Sequence, residues 1–179
     1  MKQLIFLDDI ISIKSLSINT NVEKDLNPFI LEAQDFDLRQ FLGDPFYLAL
    51  QNDFDENTKT FTDFDELWNG SEYQVSGMTI KHDGLKMILI YQAYARYILN
   101  SGSTATPSGF MKKTNQYSEA IDVKELSIKS NQAKAGATAY ELRSTNYLDY
   151  KNSDFPLWRY SSKEIKYSAG KKIRKIKKI

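Results

Sequence analysis

The chain has 179 residues, of which 41% are hydrophobic and 26% charged, so it can bury one sizeable core and is not disordered throughout. It has no Cys and a single His, which excludes disulfides, thiolate catalysis and zinc sites built from several imidazoles or thiolates. The net charge of +1 conceals an acidic body joined to a basic C-terminal segment.

No stretch of the sequence predicts a membrane span or a signal peptide. The longest apolar run, MILIY at 87–91, is far shorter than the roughly 20 residues that cross a bilayer. The N-terminal segment MKQLIFLDDIISIK is too acidic, and its apolar stretch too short, for a signal peptide. We therefore expect the protein to stay in cytoplasm-like surroundings and to have no membrane partner.

Residues 1–20 contain short apolar groups whose spacing is not helical. Ile11 and Ile13 alternate with polar neighbours, and so do Leu16 and Ile18. This pattern predicts an extended or partly ordered N-terminal arm that packs on another surface.

From residue 21 the apolar positions recur three or four apart, which is the period of one helix face. They are Val22, Leu26, Phe29, Ile30, Ala33 and Phe36. A second apolar set, offset from the first, follows at Leu38, Phe41 and Leu42. Asn21 is one candidate N-cap. Asn27 is the alternative, because Pro28 would then stand at the first helical position.

The helix is predicted to end at Gly43, in a left-handed cap conformation. Asp44 would then cap a second helix, and Pro45 would occupy its first position, where a missing N–H costs nothing. The stretch FILEAQDFDLRQFLGDPFYLAL, residues 29–50, therefore predicts two helices joined by a tight glycine corner.

Residues 51–62 are polar and rich in turn formers, which predicts a surface loop. Asp53 and Asp55 resemble the first half of a calcium-binding loop. However, Thr58 stands where that loop needs Gly, and Phe64 where it needs the closing Glu. We interpret these carboxylates as solvated loop residues and predict no metal ligands among them.

Asp63 is a candidate N-cap for a short helix that runs through Trp68 and is stopped by the Asn-Gly pair that follows. Residues 73–80 then change to a period of two on either side of Ser76 and Gly77. This change predicts a small β-hairpin with a two-residue turn.

The single histidine, His82, lies beside Asp83 just before the next predicted helix. A general base needs a positioned partner and a nucleophile within reach, and the sequence offers neither at a known spacing. We interpret His82 as a solvent-facing or capping residue. Phosphate-binding loops and glycine fingerprints are also missing, so the sequence predicts a protein that is not an enzyme and takes no cofactor.

Two helices are predicted to form the scaffold. Residues 83–100 are apolar on most sides, which is typical of a central helix. A long helix is predicted over 117–148, where Ala133 and Ala137 allow a neighbouring helix to approach closely and the glycine between them weakens the expectation of an unbroken helix. Between the two helices, residues 101–113 read as a flexible loop of small residues that makes contacts.

Residues 163–179 hold eight Lys or Arg and one acid, Glu164. Isoleucine recurs every third residue near the end, so a helix here would be basic and amphipathic. Three roles stay open: contacts to nucleic-acid phosphates, docking on an acidic partner with the isoleucines filling pockets, and solubilisation. The first two are weighted equally. The contact residues would be Lys171, Lys172, Ile173, Arg174, Lys175, Ile176, Lys177, Lys178 and Ile179.

Several segments between residues 20 and 160 together resemble a known family. They are ILEAQDFDLRQFLGDPFY, LWNGSEY, HDGLKMILIYQAYARYI, TATPSGFMKK and YLDYKNSDFPLW. Their order resembles that of the head-to-tail connector, or neck ring, proteins of crAss-like tailed bacteriophages. None of these segments is catalytic, so the resemblance rests on order and spacing, and it does not include the basic tail.

The resemblance implies a virion protein that forms a ring of about a dozen copies under the portal and surrounds the DNA passage. Its partners would be copies of itself, the portal protein and other neck or tail proteins, with packaged DNA as a further contact. It would be made in the host cytoplasm and located at the head–tail junction. Phe110 and Trp158 join the tail residues as expected interaction residues.

The sequence therefore predicts a mainly α protein, a helical bundle with a small β-hairpin and extended terminal arms. We divide it into an N-terminal arm at 1–20, a helical connector domain at 21–160 and a basic C-terminal tail at 161–179. The functional alternative is a nucleic-acid-binding module that acts through this tail.

Overall fold

A computed structural model describes residues 1–14, 16, 22–101, 103–106, 109–112 and 122–158. For residues 22–23, 101, 103–106 and 109–112 it describes the backbone only. The described part contains seven α-helices, a π-helical segment and two antiparallel hairpins. The prediction of a mainly α fold with a small β-hairpin is confirmed.

The N-terminal residues pack into the core. Leu4 and Ile5 are buried in an extended stretch, and the carboxamide of Gln34 fixes this stretch in place. Its Oε1 accepts from the backbone N–H of Leu4 at 2.7 Å, and its Nε2 donates to the carbonyl of Lys2 at 2.9 Å. The predicted packing of this arm is thus confirmed for its described residues.

A short helix, α1, spans Leu7–Ile11, where the sequence predicted non-helical chain. The backbone N–H of Phe6 donates to Oδ2 of Asp9 at 2.8 Å, so a local cap supports the turn. Lys86 reaches the same carboxylate. The prediction was wrong because one helical turn with a single buried side chain, Ile10, is too short to show a period.

The next helix contains α2, Val22–Glu32, a π-helical segment, Ala33–Leu38, and α3, Arg39–Leu42. Pro28 lies inside α2, so the alternative N-cap at Asn27 is wrong. Asn21 lies outside the described residues.

The π-helical segment explains the two offset apolar sets in the sequence. A π-helical turn holds an extra residue and rotates the following residues around the helix axis. As a result Ile30 before the segment and Leu42 after it are both fully buried. Phe36, which the plain helical period placed on the core face, is 55% exposed, so that part of the prediction was wrong.

A glycine corner joins α3 to α4, Asp44–Asp53. Gly43 has a φ of +79° and stands immediately before α4, so α4 begins one residue earlier than predicted, at Asp44. Asp44 accepts a hydrogen bond from Nε of Arg39 at 2.7 Å. The two predicted helices and the glycine corner are confirmed. However, Gly43 has a ψ of 153°, outside the left-handed cap conformation, and it takes the N-cap position that was predicted for Asp44.

The loop after α4 is more firmly packed than its polar sequence indicates. Phe54 and Phe61 are buried, with ring centroids 5.0 Å apart. Oδ2 of Asp53 accepts the backbone N–H groups of Thr62, Asp63 and Phe64 at 3.0–3.2 Å. The short helix α5, Asp65–Asn69, follows and ends at Gly70 as predicted.

The predicted hairpin is present, with β1 at Ser71–Val75 and β2 at Met78–His82. Ser76 and Gly77 form the two-residue turn, with φ values of +51° and +80°. Positive φ at both central residues is the geometry that matches the twist of paired strands.

A second hairpin occupies part of the segment predicted as a flexible loop. β3, Ser103–Thr106, pairs antiparallel with β4, Gly109–Lys112. The loop prediction was wrong for these residues because Gly and Ser content outweighed the strand-forming threonines of β3.

Two long helices, α6 at Leu85–Ser101 and α7 at Val123–Tyr150, pack along each other. Gly136 is part of this contact, since a Cβ placed there would lie 2.6 Å from the ring of Tyr91. Ser130 Oγ, also buried, donates to the carbonyl of Ala95 at 2.9 Å. The close approach predicted from the small residues of α7 is confirmed, and its glycine is accommodated within the helix.

Candidate interaction surfaces

The described residues include only part of the predicted contact set. Residues 171–179 of the basic tail lie outside them. For Phe110 the structure gives its backbone position, in β4 opposite Ala105. The prediction that these residues make contacts therefore remains a prediction.

Trp158 is an anchor of the fold and does not form an exposed contact. Its ring centroid lies 5.4 Å from that of Phe41 and 6.4 Å from that of Phe46. Its Nε1 donates to Oδ1 of Asp149 at 2.8 Å. An indole that is 9% exposed packs on its own chain, and an interface role for Trp158 remains a prediction.

The β1–β2 hairpin has one polar and one apolar face. The polar face is fully exposed and carries Glu72, Gln74, Thr79 and Lys81. The opposite face carries Tyr73, Val75, Met78, Ile80 and His82, because cross-strand partners share a face. Tyr73 and His82 on this face are buried and Val75 is partly buried, whereas Met78 and Ile80 are exposed.

At the covered end, which we call the hairpin base, Tyr73 and His82 pack on α7. The ring of His82 stacks on that of Tyr147 with a centroid distance of 3.8 Å. Tyr73 meets Tyr147 edge-on at 5.3 Å and lies 5.1 Å from Tyr150. This aromatic cluster fixes the hairpin to the C-terminal end of α7.

At the other end, which we call the hairpin tip, Met78 and Ile80 are exposed, whereas Val75 between them and the core is partly buried. Met78 is 64% exposed and Ile80 is 37% exposed. Isolated exposed apolar side chains are ordinary, but a group on one face of a projecting element marks a contact surface. The hairpin tip is the first candidate surface.

His82 is completely buried, so its interpretation as a solvent-facing or capping residue was wrong. Its Nε2 lies 3.1 Å from Oγ of Ser71, its cross-strand partner. Burial lowers the pKa of His82, while the negative charge of Asp83 opposes the shift. A Ser–His pair can serve a nucleophile, but a fully buried ring stacked on Tyr147 has no access to a substrate. Its role is to hold the hairpin base.

A second surface lies around Arg96 of α6. Its Nε and Nη2 donate to the two carboxylate oxygens of Asp37 at 2.7 and 3.0 Å, a bidentate pair that joins α6 to the π-helical segment. The guanidinium also lies 5.5 Å from the ring of Phe36. Leu99, one helical turn after Arg96, is exposed. We call Phe36 and Leu99 the α6 patch.

A cavity of about 300 Å³ lies next to this patch, between the π-helical segment, α3, α6 and α7. It is lined by Asp37, Gln40, Phe41, Gln92 and Glu141. Nε2 of Gln92 donates to Oε1 of Glu141 at 3.3 Å, and Asp37 is held by Arg96, so both carboxylates already have partners. This arrangement is a polar cleft between helices and provides no free acid–base pair.

A third surface lies on α7, on the side that faces away from α6. We call it the outer stripe, and it consists of Ile128, Ala135, Ala139 and Leu142, all exposed. Ile128 is 50% and Leu142 is 63% exposed. The helix thus has a buried face of small residues and a second, uncovered apolar face.

Two negative findings apply to the described residues. Within 1–14, 22–101 and 122–158, no group of three or more His, Asp or Glu side chains is arranged to hold a metal ion. In the same part of the chain, no helix combines the length and the apolar character that crossing a membrane requires.

Residues 38–167 match the model of a protein family described as a family of unknown function, DUF6712. The chain belongs to this family. The DUF6712 match covers the hairpin tip and the outer stripe but leaves out α1 and α2. Neither a curated protein nor a solved structure matches the chain.

The sequence did not lead us to any of the three surfaces, and the reason differs for each. Periodicity places Met78 and Ile80 on the apolar face of a hairpin and cannot show how far the core extends beneath that face. For Phe36 the signal was present in the two offset apolar sets, which a π-helical turn reconciles. For the outer stripe, the spacing of Ile128, Ala135 and Leu142 at intervals of seven could have revealed it.

Proposed function

We propose that this protein is a structural component of a tailed-phage virion that assembles as a ring between portal and tail. The ring joins the capsid to the tail and surrounds the passage for DNA. The proposal combines the resemblance to connector proteins with the presence of apolar surfaces that the described chain leaves uncovered. The observation that carries it is the hairpin tip, where the apolar face of a strand pair continues past its own core.

A ring imposes a specific requirement on its subunit. Each copy contacts two identical neighbours head to tail, so two different surfaces must be adhesive. The hairpin tip and the α6 patch meet this requirement because they are two different exposed apolar surfaces. Strands form the first, and Phe36 and Leu99 on helices form the second. Burial of apolar area contributes about 25 cal/mol per Å², so each small surface gives a modest energy that the closed ring multiplies.

The first test is the presence of the protein in purified virions. Mass spectrometry of particles should find it at several copies per portal, and electron microscopy should show a ring at the capsid vertex. Its absence from purified particles, with all of it free in the host cytoplasm, would contradict the proposal.

The second test uses two adjacent residues of β2. Met78→Lys places a charge in the hairpin tip, whereas Thr79→Lys places the same charge on the opposite, polar face. Both positions are exposed, so both variants should fold. We expect Met78→Lys to be missing from assembled particles and Thr79→Lys to be incorporated normally. Equal incorporation of the two variants would show that the hairpin tip is not part of the assembly contact.

The composition of the tail favours a second candidate, a nucleic-acid-binding module. Residues 163–179 hold eight basic side chains, and each phosphate contact makes binding more sensitive to salt. Titration of DNA at two salt concentrations, with the whole chain and with a chain lacking 161–179, distinguishes the candidates. Strong salt-dependent binding that disappears with the tail would favour this second function for the free protein.

A further inference from the structure

The outer stripe occupies a narrow sector of α7. At 100° per residue, Ile128, Ala135, Ala139 and Leu142 fall within about 60° of one another. The buried side of the helix, which includes Ala133 and Ala137, lies on the opposite side. An exposed helix face normally carries polar residues, so a stripe of this kind in the described structure calls for a partner.

The two large residues of the stripe are symmetrical about Ala135. Ile128 and Leu142 each stand seven residues from Ala135, so large side chains flank a small one, while Ala139 has the polar Asn131 as its counterpart. If two such helices are placed antiparallel with their Ala135 residues facing each other, Ile128 of each copy meets Leu142 of the other. Alanines at the centre allow the helix axes to approach to about 8 Å, the short end of the normal range.

The charges beside the stripe favour this same arrangement. Glu125 and Arg143 are 18 residues apart, which is five helical turns, so both lie on the same flank of α7. Their midpoint is one residue from Ala135. An antiparallel pair therefore brings Glu125 of each copy towards Arg143 of the other, whereas a parallel pair places equivalent residues on opposite flanks and brings no opposite charges together.

Both charged residues can take part while keeping their present contacts. Glu125 Oε1 lies 3.0 Å from Nζ of Lys129, in an exposed ion pair. Arg143 uses Nη1 for Asp83 at 2.6 Å, and a guanidinium has five N–H donors in all. A uniformly basic partner such as the C-terminal tail would instead be attracted by Glu125 and repelled by Arg143.

We propose that the outer stripe pairs with the outer stripe of a second copy of this chain, with the two α7 helices antiparallel and Ala135 at the twofold axis. Such a contact uses the same surface on both copies and closes on itself, so it produces a dimer. It is separate from the head-to-tail contact of the proposed ring and stands whether or not that ring forms. A contact of four side chains per copy is small, so the dimer is a weak one.

The absence of native cysteine allows a direct test. A full-length Ala135→Cys variant carries one thiol, which the proposed axis places against its own copy. Ala139→Cys is the matched control, because the two thiols would lie about 12 Å apart along the helices, beyond the reach of a disulfide. Under mild oxidation at about 100 μM protein, a concentration suited to weak dimers, we expect Ala135→Cys to cross-link at least tenfold faster than Ala139→Cys.

A second pair of variants tests whether the two α7 helices are antiparallel. Ile128→Cys and Leu142→Cys should each stay monomeric alone and form a mixed disulfide dimer when combined. Addition of Glu125→Arg to the Ala135→Cys chain should slow its cross-linking severalfold at low salt and less at high salt, because surface charges are screened.

Three results would overturn the proposal. One is equal cross-linking of Ala135→Cys and Ala139→Cys, or none of either. Another is efficient cross-linking of Ile128→Cys alone, which requires parallel helices. The third is cross-linking of Ala135→Cys only after residues 159–179 are removed, which would show that the chain's own tail covers the stripe.

Discussion

The base and the tip of the β1–β2 hairpin belong to the same two strands and the same apolar face, yet they have opposite surroundings. At the base, Tyr73 and His82 are buried against Tyr147 of α7. At the tip, Met78 and Ile80 are exposed in the described structure. The difference shows that the strand pattern indicates which side is apolar, whereas contacts with residues distant in sequence, here Tyr147 and Tyr150, decide which part of that side is covered. The base serves folding, and the tip is available to another chain.

The largest expected effect concerns the centre of the base. Tyr147→Ala should lower the free energy of unfolding by about 3–5 kcal/mol, because it removes a fully buried ring that contacts both Tyr73 and His82. Tyr150→Ala is the control, since this ring is half exposed, and it should cost under about 1 kcal/mol. Urea denaturation measures both. Similar losses for the two variants would show that the buried ring of Tyr147 does not anchor the base more firmly than the half-exposed ring of Tyr150.

Two glycines with similar φ values give the next comparison. Gly70 at the base has a φ of +93° and a ψ of 151°, and Gly77 at the tip has a φ of +80°, so alanine is strained at both by about 1 kcal/mol or more. A Cβ at Gly70 would also lie 2.7 Å from the carbonyl oxygen of His82, while a Cβ at Gly77 meets nothing within 4 Å. Gly70→Ala should therefore cost about 1–3 kcal/mol more than Gly77→Ala in thermal or urea unfolding. Equal costs would show that the base is not tightly packed.

A smaller effect follows from the buried imidazole. Burial lowers the pKa of His82 in the folded protein below its ordinary value of about 6.5. The unfolded chain therefore binds the proton more readily, and the stability present above about pH 6.5 is lost as the pH falls below it.

The measurement is the fall in melting temperature between pH 7.5 and 5.5 for the whole chain and for His82→Gln. The melting temperature of the native chain should fall further than that of His82→Gln. The carboxylates contribute equally to the fall in both proteins. An identical fall in the two proteins would mean that His82 is not buried in its neutral form.

Several of these elements could be predicted from the sequence because their signals are local. The turn at Ser76 and Gly77, the glycine corner at Gly43 and the long period of α6 each depend on a few neighbouring residues. The close packing at Ala133 and Ala137 was predictable as well, since residue size is itself a local property.

Other features depended on contacts that the sequence does not show. His82 was misread because its burial is created by Tyr147, 65 positions later. Phe36 was placed on the wrong face because a single π-helical turn changes the phase of the helix. The hairpin β3–β4 was missed because small residues are typical of both loops and short edge strands.

The smallest expected effect on stability concerns the tip itself. Met78→Lys should change the free energy of unfolding by no more than about 0.5 kcal/mol, because an exposed side chain makes few contacts in the single chain. Thr79→Lys should behave alike. Circular dichroism with urea measures both, and a loss near that of Tyr147→Ala would show that the tip is part of the core.

The central claim is that the hairpin tip is covered by another chain in the assembled state. Electron microscopy of intact particles, at a resolution that shows side chains, tests it most directly. We predict a ring of copies at the capsid vertex in which Met78 and Ile80 are buried against a neighbouring subunit. A ring in which both side chains face solvent, or particles that lack the protein, would contradict it.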